Sequence, residues 1–117
     1  MFAVIRRYRT DGDTDATIDR TDHVYASAVE KQVGFVDYQI VRTSDGEIMT
    51  VILFDTEEEA DRNRYFTEEF VRVGLAGLDV ELLDEWRGIV EVSTASELAL
   101  QRISSSSPED GGADPEE

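Results

Sequence analysis

The apolar and polar positions change period in a regular order along the chain. Residues 2–9 (FAVIRRYR) have the β-branched and aromatic content of a strand. Within residues 13–32, Ile18, Tyr25 and Val29 are spaced seven and four apart, which is one face of a helix, and Gly34 is placed to end that helix. Residues 35–43 and 47–54 read as strands joined by Asp45-Gly46, a hairpin signal when both central residues adopt positive φ. Residues 56–78 open with a threonine cap and three glutamates, which suit the positive end of a helix dipole. A last β segment at 80–92 is expected to break or bulge near Gly88. The order β-α-β-β-α-β predicts an α+β, ferredoxin-like domain: a four-stranded antiparallel sheet with both helices on one face.

The hairpin fixes an expectation about the two faces of that sheet. A two-residue turn at 45–46 pairs Ser44 with Glu47, so the numbers of all opposed residues add to 91. Val36, Tyr38, Ile40, Met49, Val51 and Leu53 then share a uniformly apolar face, which is expected under the helices. The other face mixes Phe35, Val41, Ile48, Ile52 and Phe54 with Asp37, Gln39 and Thr50. Left in water it would be a large apolar patch. A second copy of the chain is therefore expected to lie across it, giving a homodimer, a dimeric α/β barrel with a partly polar interior.

A chain of 117 residues with 40% hydrophobic content supports one domain with one modest core. That domain is expected at 1–103, with a short helix at 93–103. Residues 104–117 hold five acidic residues and no large apolar one, and are expected to form an acidic disordered tail. No run approaches the length of a membrane span, the amino end does not have the order of a signal peptide, and a cytoplasmic location is expected. There is no cysteine, hence no disulfide, thiol nucleophile or cysteine metal site. With 27 acidic against 11 basic residues the net charge is −16. Such a field repels nucleic acid and anionic lipid, so neither is an expected partner. It suits the solvated acidic coat of a salt-adapted, halophilic protein.

Candidate chemistry is sparse. The alternating acids of residues 11–15 (DGDTD) resemble the start of a calcium loop, but Ala16 and Asp22 stand where glycine and glutamate are needed; a turn and helix cap is the better reading, and no metal site is expected. His23 falls about 140° from the Ile18 stripe, on the water side of its helix. In residues 6–9 (RRYR), Arg6 and Tyr8 point one way and Arg7 and Arg9 the other. Ion pairs are their expected fate; the functional alternative is that one arginine enters a cavity and holds a carboxylate, phenolate or enolate. Asn63 lies in the buried arc of the second helix with Phe66, Phe70, Val71 and Gly74, where an amide must find a partner. Trp86 is the sole tryptophan, expected at the dimer interface or beside Tyr8 and Phe54 in a pocket.

The segments GFVDYQI (34–40), DGEIMTVILFDTEEEADR (45–62) and GIVEV (88–92) resemble the antibiotic biosynthesis monooxygenase group of the dimeric α+β barrel superfamily, over roughly residues 1–92. The resemblance implies that fold, dimerisation and, in some members, cofactor-independent oxygenation of aromatic molecules. The haem-degrading members use a histidine on the second helix, and residues 56–76 contain none. The implied protein needs no cofactor and takes a small apolar or phenolic molecule between helices and sheet, with Arg6, Tyr8, Asp37, Gln39, Phe54, Asn63, Phe66 and Trp86 as candidate lining residues. Asp37 or a water would serve as base, and Asn63 or an arginine would steady an oxyanion. No residue is assigned a catalytic role. The alternative is a non-catalytic dimer that binds a hydrophobic metabolite or acts as an accessory protein.

Overall fold

A computed structural model describes residues 1–94. Strand β1 (Phe2–Thr10) leads into helix α1 (Thr14–Arg20), which continues through a wider π-helical turn (Thr21–Ala26) into a short α2 (Ser27–Val29). Strands β2 (Phe35–Ser44) and β3 (Glu47–Phe54) form the hairpin, helix α3 (Glu57–Glu69) runs into a second π-helical turn (Phe70–Gly74), and β4 (Val80–Ile89) closes the sheet. The sheet order is β2-β3-β1-β4 and every pairing is antiparallel, as the ferredoxin-like reading requires. Below, "first helix" means α1 to α2 with its π turn, and "second helix" means α3 with its own. The expected helix at 93–103 and tail at 104–117 lie, but for Ser93 and Thr94, outside the described residues.

Local chemistry accounts for the element ends. Asp13 caps the first helix by accepting from the Ala16 N–H at 2.9 Å. Thr56 caps the second by accepting from Glu59 N–H at 3.2 Å, while its hydroxyl donates back to the Glu59 carboxylate at 3.1 Å. Gly34, at φ +82°, turns the chain into β2, and a Cβ there would strike the Glu59 carboxylate.

The hairpin departs from its expected register. Only Gly46 of the turn pair has positive φ; Asp45 does not, so the turn is not the mirror-image type with both residues left-handed. The ladder slips by one at Thr43, and Tyr38 then faces Ile52, Ile40 faces Thr50, and Gln39 faces Val51. A one-residue slip exchanges the faces of the partner strand. Ile48, Thr50, Ile52 and Phe54 of β3 therefore lie under the helices with Tyr38 and Ile40, whereas Met49, Val51 and Leu53 turn outward with Val41. This corrects the expected placement of Ile48, Thr50, Ile52 and Phe54 on the partner side. Phe35 is corrected too: its ring meets Phe54 edge-on at 6.2 Å, inside the core. The irregularity expected near Gly88 instead falls opposite Arg7 and Tyr8, where β4 carries Leu83 as an extra residue.

The core gathers Phe2, Val4, Tyr25, Val29, Ile52, Phe54 and Ala60, with the rings of Phe66 and Phe70 against it. Each such large side chain contributes about 1.5–3 kcal/mol on burial. The outer face remains apolar along its middle: Ile5 pairs with Trp86 and Val51, and Ala3 with Leu53. Trp86 is 49% and Val41 46% exposed.

Candidate functional site

Along β1 the helix-facing positions change character. Phe2 and Val4 are hydrocarbon, but Arg6, Tyr8 and Thr10 follow on the same face, all buried. Thr50 lies opposite Arg6 on β3. The half of the helix–sheet layer beyond Val4 is therefore polar, and it holds a small cavity walled by Arg6, Tyr8, Tyr25, Tyr38, Thr50 and Thr67, with Phe70 and Val71 closing it from the second helix. Its volume is about 20 Å³, room for a single water. Both π-helical turns border it, through Thr21 and Tyr25 on one side and Phe70 and Val71 on the other. The second shows the wide hydrogen bond directly, with Leu75 N–H donating to Phe70 C=O at 3.1 Å. Such turns recur at functional sites because they re-aim side chains that a regular helix would point elsewhere. Gly74 completes the arrangement: a Cβ there would collide with the Phe70 ring.

Arg6, Tyr8, Thr67 and Val71 also wall a larger cleft of about 200 Å³ between the second helix and β4, together with Arg64, Arg72, Leu82, Glu68 and Glu85. The cavity and the cleft thus meet at Arg6 and Tyr8. A third, wider groove of about 430 Å³ runs between the first helix and β2. It is lined by Asp15, Asp19 and Asp22 with Arg42 paired to Asp15. Its size comes from openness to solvent, and its acids have the hydrated character of the rest of the surface, so the site is placed at Arg6.

Arg6 settles which arginine turns inward. Its side chain is 6% exposed, and it pairs with Glu85 at 3.2 Å. Arg7 and Arg9 point outward, Arg7 to Asp84 and Glu47, Arg9 to Asp11 and Glu81. Burial pushes the Tyr8 hydroxyl up to about 12, against the pull of the Arg6 guanidinium beside it. Tyr25 and Tyr38 are also raised by burial, Tyr25 less freely because Thr67 and Asn63 hydrogen-bond its oxygen. At neutral pH all three are hydroxyl donors rather than bases.

Asn63 is fully engaged. Its Nδ2 donates to Gln32 Oε1 at 2.9 Å, and its Oδ1 accepts from Thr67 at 3.0 Å; Tyr25 and Thr67 hydroxyls lie 2.7 Å apart. This network ties the two helices together and is a structural use of the amide. Of the candidate residues, then, Arg6 and Tyr8 line the cavity; Asn63 and Phe66 touch its wall residues Thr67 and Tyr25, and Phe54 belongs to the hydrocarbon end of the core, opposite Phe2. Asp37, Gln39 and Trp86 stand on the opposite face of the sheet, where Gln39 donates to Asp37 at 3.0 Å. Their geometry removes Asp37 from any role as base in this cavity. His23 is solvent-side, and the Asp19 carbonyl that its ring bonds raises its pKa. The acids of residues 11–15 go separate ways, Asp11 to Arg9, Asp13 to the helix cap and Asp15 to Arg42.

Sequence reasoning missed Tyr25, Thr50, Thr67 and Glu85. A signal for Glu85 exists: Glu85 and Arg87 alternate on β4 at the period of one strand face, a charged pair where an apolar one is usual.

No protein-family model matches the chain, and no curated protein matches it in sequence. Solved structures do match in fold. SnoaB, a cofactor-independent oxygenase from Streptomyces nogalater, superposes with a TM-score of 0.56 at 12% identity, covering 81% of this chain and 97% of that one. A dimeric ferredoxin-like protein from an uncultured marine organism gives 0.63 at 12% identity, covering 82% and 100%. A Bacillus cereus protein provisionally assigned as an antibiotic biosynthesis monooxygenase gives 0.51 at 19% identity, covering 82% and 97%. These structures share with this chain the ferredoxin-like fold that the sequence predicted.

Proposed function

We propose that the protein is a homodimer of the antibiotic biosynthesis monooxygenase-like group that takes a small, mostly apolar phenolic or enolic molecule between its second helix and sheet and oxygenates it without a cofactor. The observation that carries this reading is the buried Arg6 beside Tyr8, at the junction of cavity and cleft, in a chain whose net charge is −16. A phenol bound against a desolvated guanidinium ionises more readily, because the cation favours the anionic form. The electron-rich phenolate is the form that reacts with dioxygen, so the chain's part is to bind, ionise and shield it. Tyr8, kept protonated by burial, would donate to the same oxygen. SnoaB, which has this fold, is a cofactor-independent oxygenase. The apolar outer face of Ile5, Val51, Leu53 and Trp86 is the surface the second copy would cover.

One observation favours the non-catalytic alternative: the Arg6 guanidinium that would hold a phenolate is already paired with the Glu85 carboxylate at 3.2 Å. The two readings separate in one experiment. The protein is purified at high salt, any co-purifying molecule is identified by native mass spectrometry, and oxygen consumption is followed with that molecule and with a series of naphthols. Uptake that Arg6→Gln abolishes supports the oxygenase. Binding without uptake supports the carrier, and neither binding nor uptake removes oxygenase and carrier alike and leaves the accessory role.

A further inference from the structure

The Arg6–Glu85 pair has a feature that a purely structural ion pair would not need. Arg6 is almost wholly buried and requires an anion. Its partner comes from the rim: the Glu85 side chain is 26% exposed and stands on the edge strand β4. The same oxygen, Glu85 Oε2, lies 3.8 Å from Arg87 Nη1. That nitrogen is shut off from solvent and makes no hydrogen bond. Arg87 is itself held in place, by Asp61 on one side and by the face of the Phe2 ring 5.3 Å away on the other. Glu85 therefore sits between two guanidinium groups, ion-paired with one, with an unsatisfied donor waiting on the other.

We infer that the cleft between the second helix and β4 is a binding site for a small organic anion, a carboxylate or phenolate on an apolar body, and that Glu85 is the chain's own occupant of it, exchanging Arg6 for Arg87 when the ligand arrives. This deepens the reading above and rests on its placement of the ligand between helix and sheet. The exchange leaves no charge orphaned. Arg6 passes from one carboxylate to another, and Glu85 moves to Arg87 Nη1, which gains the hydrogen bond it lacks. With the polar contacts nearly conserved, what the complex gains is apolar contact with Tyr8, Val71 and Leu82 in the cleft walls. Arg6, Arg64 and Arg72 line that cleft with Glu68 and Glu85, and Arg72 is paired with Glu69, so the cleft is near neutral within a strongly acidic molecule. A volume of about 200 Å³ fits a single-ring acid, below the 300–1,000 Å³ or so of sites for larger ligands.

The test is a titration followed by NMR at fixed ionic strength, with benzoate and with benzamide as its neutral counterpart, on the wild-type chain, Glu85→Gln and Glu81→Gln. Glu81 pairs with the outward Arg9, so its substitution changes the net charge equally and leaves the cleft alone. Benzoate is expected to bind Glu85→Gln about tenfold or more tighter than wild type, because a competing charged hydrogen-bond partner is gone. Glu81→Gln should match wild type, and benzamide should bind none of them measurably. Arg6→Lys should lose most of the benzoate affinity. Equal gains in Glu85→Gln and Glu81→Gln would reduce the effect to overall charge and overturn the exchange. Benzamide binding as well as benzoate, indifferent to Glu85, would overturn the anion site while leaving an apolar-ligand site standing. No binding of either molecule to any variant would remove both.

Discussion

At the scale of single residues, the tyrosines report most directly on how this interior is built. Tyr8, Tyr25 and Tyr38 converge behind the helices, with the Tyr25 ring 5.1 Å from Tyr38, 5.2 Å from Phe70 and 5.5 Å from Phe66. Burial raises all three hydroxyls, Tyr8 to about 12. A phenol whose pKa is raised on folding keeps its proton in the native state after the unfolded chain has lost it. Stability is then unaffected below the ordinary value of about 10 and falls as pH rises from there toward 12 and beyond. The expected outcome of an alkaline titration is that most tyrosinate absorbance appears late and together with loss of the far-ultraviolet circular dichroism signal. Early, reversible ionisation of these tyrosines in the folded protein would contradict the buried placement. Asn63 was legible in the sequence as a buried amide in need of partners. Its partners were not, since Gln32, Thr67 and Tyr25 are brought to it by helix packing that no local pattern encodes.

At the scale of elements, the hairpin decides which residues meet water. The bulge at Thr43 places Ile52 under the helices, 1% exposed, and turns its neighbour Val51 outward. Adjacent substitutions should therefore fail in different ways. Ile52→Asp puts an unpaired carboxylate into the core, a cost of several kcal/mol that consumes much of a small domain's stability; the expected product is unfolded chain. Val51→Asp is expected to fold and to sediment as a monomer, because its charge lies on the face proposed for the second copy. Circular dichroism and analytical ultracentrifugation of the two variants check this, and a dimeric Val51→Asp would place the interface elsewhere. Element type and order were readable because apolar spacing, caps and Gly34 agree with one another. The register was not, since Asp45-Gly46 is compatible with more than one turn and a single extra residue inverts a face. Arg6 and Tyr8 were legible as a pair through strand alternation, and the same alternation put Asp37 and Gln39 on the outer face, where they stand, away from the helix-side cavity.

At the scale of the molecule, self-repulsion sets the conditions for stability. Cations within the described residues are largely committed: Arg7, Arg9, Arg42, Arg62, Arg72 and Arg87 all pair with acids, and the excess of carboxylates has no such relief. Raising salt shortens the Debye length to about 3 Å at molar concentration and screens that excess. The expected outcome is a Tm about 5–10 °C higher in molar than in dilute salt, measured by scanning calorimetry. An unchanged Tm would detach the acidic composition from salt adaptation. The sheet order carries a different consequence, for assembly. The first strand made, β1, is one of the two central ones, and both of its neighbours, β3 and β4, come from far along the chain. Contacts of such long sequence separation favour slow folding, and the β4 side of β1 stays open until residues 80–89 have been synthesised. Because Arg6 and Glu85 are joined by that same pairing of β1 with β4, a nascent or truncated chain ending before β4 lacks the proposed anion pocket altogether, and the ligand capture we infer would await the fourth strand.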